Sequence, residues 1–153
     1  MEGPLSNQMF DEKLVAQDLE RLTFVFGHTH KPFQENRNFR SYPGWVKVYN
    51  SGGWVVDTVE RQQLHGGAVI LIDENLETTS LRMYNESWDP NAYAVSVQEA
   101  AHPGDPPGAF QKRIAGLVAK TPNLWRDFSQ AVARAINVRA ENLRTRINNP
   151  LGP

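Results

Sequence analysis

The sequence predicts a mixed α/β (α+β) fold: a short helix is followed by about five strands, and then by a helical tail. Three observations carry this reading. Between Thr23 and Tyr84, β-branched and aromatic runs of four to six residues alternate with turns rich in Gly, Asn and Asp. Beyond Phe110 the apolar residues recur with the helical period instead. The charge also changes sign there. Residues 1–109 carry 8 basic and 15 acidic side chains, a net −7, whereas residues 110–153 carry 8 basic and 2 acidic ones, a net +6.

A chain of 153 residues with 40 % apolar residues has the size and composition of one soluble domain. Its longest uninterrupted apolar run, Ala68 to Ile72, is far shorter than the roughly 18 residues of a membrane-spanning helix. The start, Met-Glu-Gly-Pro-Leu-Ser-Asn, has neither the basic residues nor the apolar stretch of a secretory leader, so the default expectation is a cytoplasmic protein. With no Cys, a disulfide framework, a thiolate nucleophile and a zinc–thiolate cluster are all excluded. A metal site would have to use imidazole, carboxylate or amide donors.

In chain order, Leu14, Val15, Leu19 and Leu22 fall near the helical period and predict an amphipathic helix over Asp11 to Leu22. Thr23-Phe-Val-Phe26 reads as a buried strand delivering its C-terminal end to Gly27. Val46 to Tyr49 and Trp54 to Val59 read as two strands joined by a tight turn at Ser51-Gly-Gly53. Ala68 to Ile72 and Thr79 to Tyr84 flank Asp73-Glu-Asn-Leu-Glu77 and read as a hairpin. Residues 1–100 thus form one unit. Ala101 to Ala109 hold three Pro and two Gly and read as a linker. The tail over residues 110–153 begins with a helix carrying Phe110, Ile114, Leu117 and Val118. Thr121 is then an N-cap candidate and Pro122 suits a first helical turn. A longer helix follows, with Leu124, Trp125, Phe128, Val132, Ile136, Leu143 and Ile147 as its stripe and Asn148-Asn-Pro150 as its stop.

The candidate chemistry lies at Gly27-His28-Thr29-His30. Two imidazoles two residues apart, at the end of a buried strand, can turn toward one cleft and offer neutral nitrogens to divalent ions. The plainer reading is a surface turn with two solvated imidazoles. Phe24-Val-Phe-Gly-His-Thr-His-Lys-Pro32, followed by Tyr49-Asn-Ser-Gly-Gly-Trp54, resembles the last metal motif of the calcineurin-like metallophosphoesterases. The resemblance spans Leu14 to Tyr84. It implies a two-layered sandwich of mixed sheets with flanking helices, His28 on one ion of a dinuclear centre and His30 on the other. The cofactors implied are two divalent ions, manganese, iron or zinc, which share a hydroxide and hydrolyse a phosphate mono- or diester substrate.

The family's earlier motifs, D-x-H, G-D-x-x-D and G-N-H-D/E, should precede the His loop, but only 26 residues precede Gly27. No Asp in the chain has a His two positions later. The expectation is therefore a C-terminal portion of a phosphoesterase, inactive alone and binding metal weakly or not at all. The alternative is an interaction module that keeps the sheet and lacks the metal centre.

Lys31, Arg37 and Arg40 follow the loop and are candidates to hold a substrate phosphate, against a plain reading as a solvated loop. Asn50 is expected to fix the turn before Gly52 and Gly53, His65 to sit in a polar surface turn, and His102 to have no function. Phe24, Phe26, Trp45 and Trp54 read as core or cleft-wall residues. Lys112, Arg113, Lys120, Arg126, Arg134, Arg139, Arg144 and Arg146 make a membrane surface a possible partner of residues 110–148, with no nucleic acid expected. The stronger reading docks these helices on their own domain.

Overall fold

The structure, a computed structural model, describes residues 2–13, 21–39, 42, 44–53, 58–60, 65–85 and 95–149. Its content is mixed α and β, as the sequence predicts: two three-stranded sheets and three helices among the described residues.

The described residues open with a helix that the sequence reading does not include. α1 spans Glu2–Asp11, and Lys13 ends it in the left-handed region (φ 56°) with its N–H donated to the Phe10 carbonyl at 3.0 Å. Residues 14–20 of the predicted helix lie outside the described residues, and Leu22 already opens a strand. Leu22 packs against the core cluster that includes Met9 of α1.

β1 (Leu22–Phe26), β2 (Phe33–Asn38) and β3 (Trp45–Asn50) form one sheet in the order β1-β3-β2, with β3 parallel to β1 and antiparallel to β2. Strand alternation sends Leu22, Phe24, Phe26, Val46 and Val48 to one face, where Met9, Phe33, Phe39 and Tyr42 complete a core cluster. β2 replaces the solvated loop of the sequence reading. Its Glu35, Arg37 and Asn38 are exposed, so it is a polar edge strand held by backbone bonds to β3 and anchored by Phe33.

β4 (Gly66–Ile72), β5 (Thr78–Asn85) and β6 (Ser96–Gln98) form the second, antiparallel sheet. The predicted hairpin is present. Its turn is closed by Asp73, whose Oδ1 accepts the N–H of Asn75 at 3.0 Å and of Glu77 at 2.9 Å. Of the predicted strand over Trp54 to Val59, residues 54–57 lie outside the described residues, and Thr58 and Val59 are irregular.

Tyr49 joins the two sheets. Its side chain is fully buried, its hydroxyl donates to the Thr78 carbonyl at 2.6 Å, and it accepts the Ala100 N–H at 3.0 Å. Burial pushes its pKa up from 10.0 to about 12, and nearby Glu99 and Glu77 push the same way against the lowering effect of the Ala100 N–H. A Gly52–Gly67 bridge and a Gln34–Gln98 amide bond of 2.8 Å complete the join.

Residues 101–109, predicted to be a linker, are a docked strap. His102 Nε2 lies 3.1 Å from Asn36 Nδ2 and its ring meets the Trp45 ring edge-on at 4.4 Å. The Gly108 N–H donates to Glu99 at 2.8 Å. α2 (Ala109–Lys120) then packs on β5 and β6 through buried Phe110 and through Gln111, which donates to the Val97 carbonyl at 3.0 Å. α3 (Pro122–Asn148) follows. Pro122 takes the predicted first-turn place, but Thr121 makes no side-chain cap bond. The buried stripe of α3 is Ser129, Ala133, Ile136 and Ala140, whereas predicted stripe members Leu124 and Ile147 are 64 % and 65 % exposed. Small residues permit a closer approach, so the buried face turns toward them. No helix among the described residues is long and apolar enough to cross a membrane.

Candidate functional site

The register of the first sheet brings three ends together. Phe26 ends β1 beside Asn50, the last residue of β3, and Phe33 opens β2 on the other side of Asn50. Residues 27–32 therefore cross the end of the central strand. The crossing is tight, because a Cβ on Gly27 would stand 2.6 Å from Ser51 Oγ. A side chain at this position would have to displace the Ser51 hydroxyl. The left-handed residues are His28 (φ 73°) and His30 (φ 58°) themselves.

Two non-glycine residues held in that region, one residue apart, store about 1–2 kcal/mol of strain each. Named bonds hold them there. The His28 N–H donates to the Gly52 carbonyl at 3.1 Å, and the His30 carbonyl accepts the Gly66 N–H at 2.8 Å. Between them, Thr29 Oγ1 accepts a bond from Asn50 Nδ2. Asn50 is 1 % exposed, and its Oδ1 accepts the Gly52 N–H at 2.9 Å. It thus has the turn-fixing role read from the sequence, and it also ties the turn to the His loop.

Gly52 is required twice over. Its φ is 69°, and a Cβ there would lie 2.4 Å from the Gly66 carbonyl oxygen and 2.7 Å from Pro32 Cδ. At the loop exit, Arg82 of β5 donates to the Pro32 carbonyl at 2.9 Å, and burial lowers the pKa of its guanidinium.

His28 is exposed and His30 half-buried. The structure keeps Lys31 beside them, exposed to solvent. It does not bring Arg37 to the loop: Arg37 pairs in register with Val46 at the far end of the sheet, four residues or roughly 13 Å along β2 from Phe33. Its guanidinium is held by Glu35 at 2.5 Å. Arg40 lies outside the described residues. His65, read from the sequence as a surface residue, is instead half-buried with its ring centre 5.9 Å from that of His30. Phe24 and Phe26 pack against the core as predicted, Trp45 is 52 % exposed, and Trp54 is outside the described residues.

The donors at the loop are imidazoles, which suit zinc, iron, nickel and similar ions. They do not close a coordination shell, since no group of three or more His, Asp or Glu able to hold an ion occurs among the described residues. A groove of about 680 Å³ opens on the face of the first sheet opposite the core cluster, walled by Val25, Trp45, Ile72 and Leu76, and includes none of the histidines. No family model, curated protein or solved structure matches the chain.

Proposed function

We propose that the chain is the C-terminal segment of a metal-dependent phosphoesterase and that it contributes His28 and His30, as ligands to different ions, to a dinuclear centre completed by carboxylates outside this sequence. The observation that carries the reading is the pair of strained imidazoles on a loop across the shared C-terminal end of two parallel strands. Strain of this kind persists where the surroundings impose it, and it clusters at functional sites. The motif Gly27-His-Thr-His30 with Asn50-Ser-Gly-Gly-Trp54 adds the family resemblance.

Bound ions would supply a hydroxide nucleophile and neutralise charge on a phosphoryl group. The part played by these residues is positional. Asn50 fixes Thr29, Gly52 and Gly66 fix the backbone of the two histidines, and Lys31 is the cation nearest in sequence for a substrate phosphate.

The test has two arms. With added manganese, the 153-residue chain should give no turnover of a chromogenic phosphodiester. In a longer protein that carries the segment together with the D-x-H and G-N-H-D motifs, His28→Ala and His30→Ala should each lower kcat by roughly two orders of magnitude and reduce bound metal. Two full equivalents of metal and unchanged turnover in both variants would overturn the reading.

A further inference from the structure

We propose that His65 is a third imidazole of this site and shares an ion with His30. The inference rests on the metal-centre reading above and extends it to a residue that the His-x-His motif does not include.

Three observations carry it. First, the His30 and His65 ring centres are 5.9 Å apart with the planes tilted by 58°. Two imidazoles bound to one ion through nitrogens about 2.1 Å away place their ring centres roughly 4.5–5.5 Å apart, so this pair stands within about an ångström of the spacing that one ion requires. Second, the two residues are held at that spacing by backbone and not by chance side-chain contact. His30 accepts the Gly66 N–H at 2.8 Å, the Gly53 N–H donates to the Gly66 carbonyl at 3.1 Å, and the Ala68 N–H donates to the Ser51 carbonyl at 2.8 Å. The start of β4, immediately after His65, is thereby stitched to the His loop and to the turn at Ser51 to Gly53. Third, Gly53 lies against the His30 ring: a Cβ there would sit in ordinary contact with its Cδ2 and Cγ at 3.5 Å. A larger residue at 53 would press on the ring.

A single imidazole holds a divalent ion weakly, and a second nitrogen from a rigidly attached strand lowers the entropic cost of closing the pair. His65 would thus set the affinity of the His30 ion, while His28 serves the other one.

The experiment is a nickel titration of the full chain followed by NMR of the histidine ring protons, with His102, held against Asn36 and Trp45, as internal reference. The His30 and His65 resonances should broaden together at a nickel concentration about tenfold below that needed for His102, and His65→Gln should raise the concentration needed at His30 by about tenfold. Backbone amide shifts of β4 and β5 report whether the variant keeps the fold, and His65→Asn serves if the Gln variant does not. Broadening of His28 and His30 while His65 follows His102 would overturn the shared ion and leave the metal-loop reading standing. So would joint broadening that His65→Gln leaves unchanged at His30. If none of the three responds ahead of His102, the shared ion falls, while the metal-centre reading, whose carboxylates lie outside this sequence, is decided by the variants of the longer protein described above.

Discussion

The two ends of the first sheet are built on opposite principles. At the end where β1 and β3 finish, glycines at 27, 52 and 53, a buried Asn50 and the left-handed His28 and His30 crowd the backbone into close approach. At the other end, Trp45 is half exposed beside a groove with Ile72 and Leu76, and Lys47 and Arg21 reach the same Glu77 carboxylate at 3.5 Å. The crowded end has specific polar bonds and strain; the open end has apolar surface and long ion pairs. A fold under selection for stability alone would not concentrate strain where it has its densest bonding. The contrast is what supports the proposal that the His loop, and not the groove, is the site.

The strongest way to break the contrast is to add one methyl group at the crowded end. Gly52→Ala would press its Cβ on the Gly66 carbonyl and on Pro32, both of them backbone-linked and unable to swing away, at a φ that Ala rarely adopts. A loss of about 3 kcal/mol is expected in urea unfolding. A neutral result would mean that the turn relaxes and that the crowding is not rigid.

Next in size is the join between the sheets. Tyr49→Phe leaves the Thr78 carbonyl and the Ala100 N–H without their shared partner, a cost of about 2 kcal/mol. Its pH dependence has a definite sign. The folded pKa of about 12 lies above the ordinary 10.0, so the folded state keeps a proton that the unfolded state releases. The contribution is complete below pH 10 and is lost as pH rises through about 12. Unfolding free energies on either side of pH 10 should fall more steeply for the parent than for Tyr49→Phe; equal slopes would show that the hydroxyl is not shielded.

The two ends also differ in how far the sequence exposes them. β1, β3 and the β4–β5 hairpin were readable because their side chains alternate between a core face and its opposite, and α2 and α3 because their apolar residues keep the helical period. β2 was not. Gln34, Glu35, Asn36 and Arg37 have no strand signature, and only pairing with β3 makes them a strand. α1 and the three-residue β6 likewise depend on what they pack against. At the site, the His-x-His spacing and the turn role of Asn50 were legible locally, and Arg37 was misplaced because proximity in sequence was taken for proximity in space. His65 could not have been found: its neighbour is 35 positions away, and the backbone bonds that join them leave no mark on residue type.

A smaller effect of opposite sign sharpens the idea that strain is stored at the loop. Replacing His28 or His30 by Gly removes the Cβ that disfavours the left-handed backbone, and each change should stabilise the chain by about 1 kcal/mol. The same positions changed to Ala keep the strain and should be nearly neutral. Thermal unfolding of the four variants separates these outcomes. Destabilisation by both Gly variants would show that the imidazoles contribute packing that outweighs the strain, and the loop would lose its functional signature.

The smallest effect belongs to the far helix. In α3, Leu124 and Val138 are 64 % and 62 % exposed, and the arginines do not gather on one side: Arg134, Arg139 and Arg144 are each five residues apart, which turns successive side chains by about 140°. Arg144 is also held by Glu141 at 2.6 Å. A helix that lies on an anionic membrane surface needs its apolar residues on one face and its cations along the border of that face. Leu124→Gln and Val138→Gln should accordingly change stability by less than about 0.5 kcal/mol, and binding of the parent chain to vesicles containing anionic lipid should be weak and unchanged by either substitution. Tight, salt-sensitive vesicle binding that Leu124→Gln abolishes would reverse this, and would make α3 a second functional surface with a design unlike the crowded His loop.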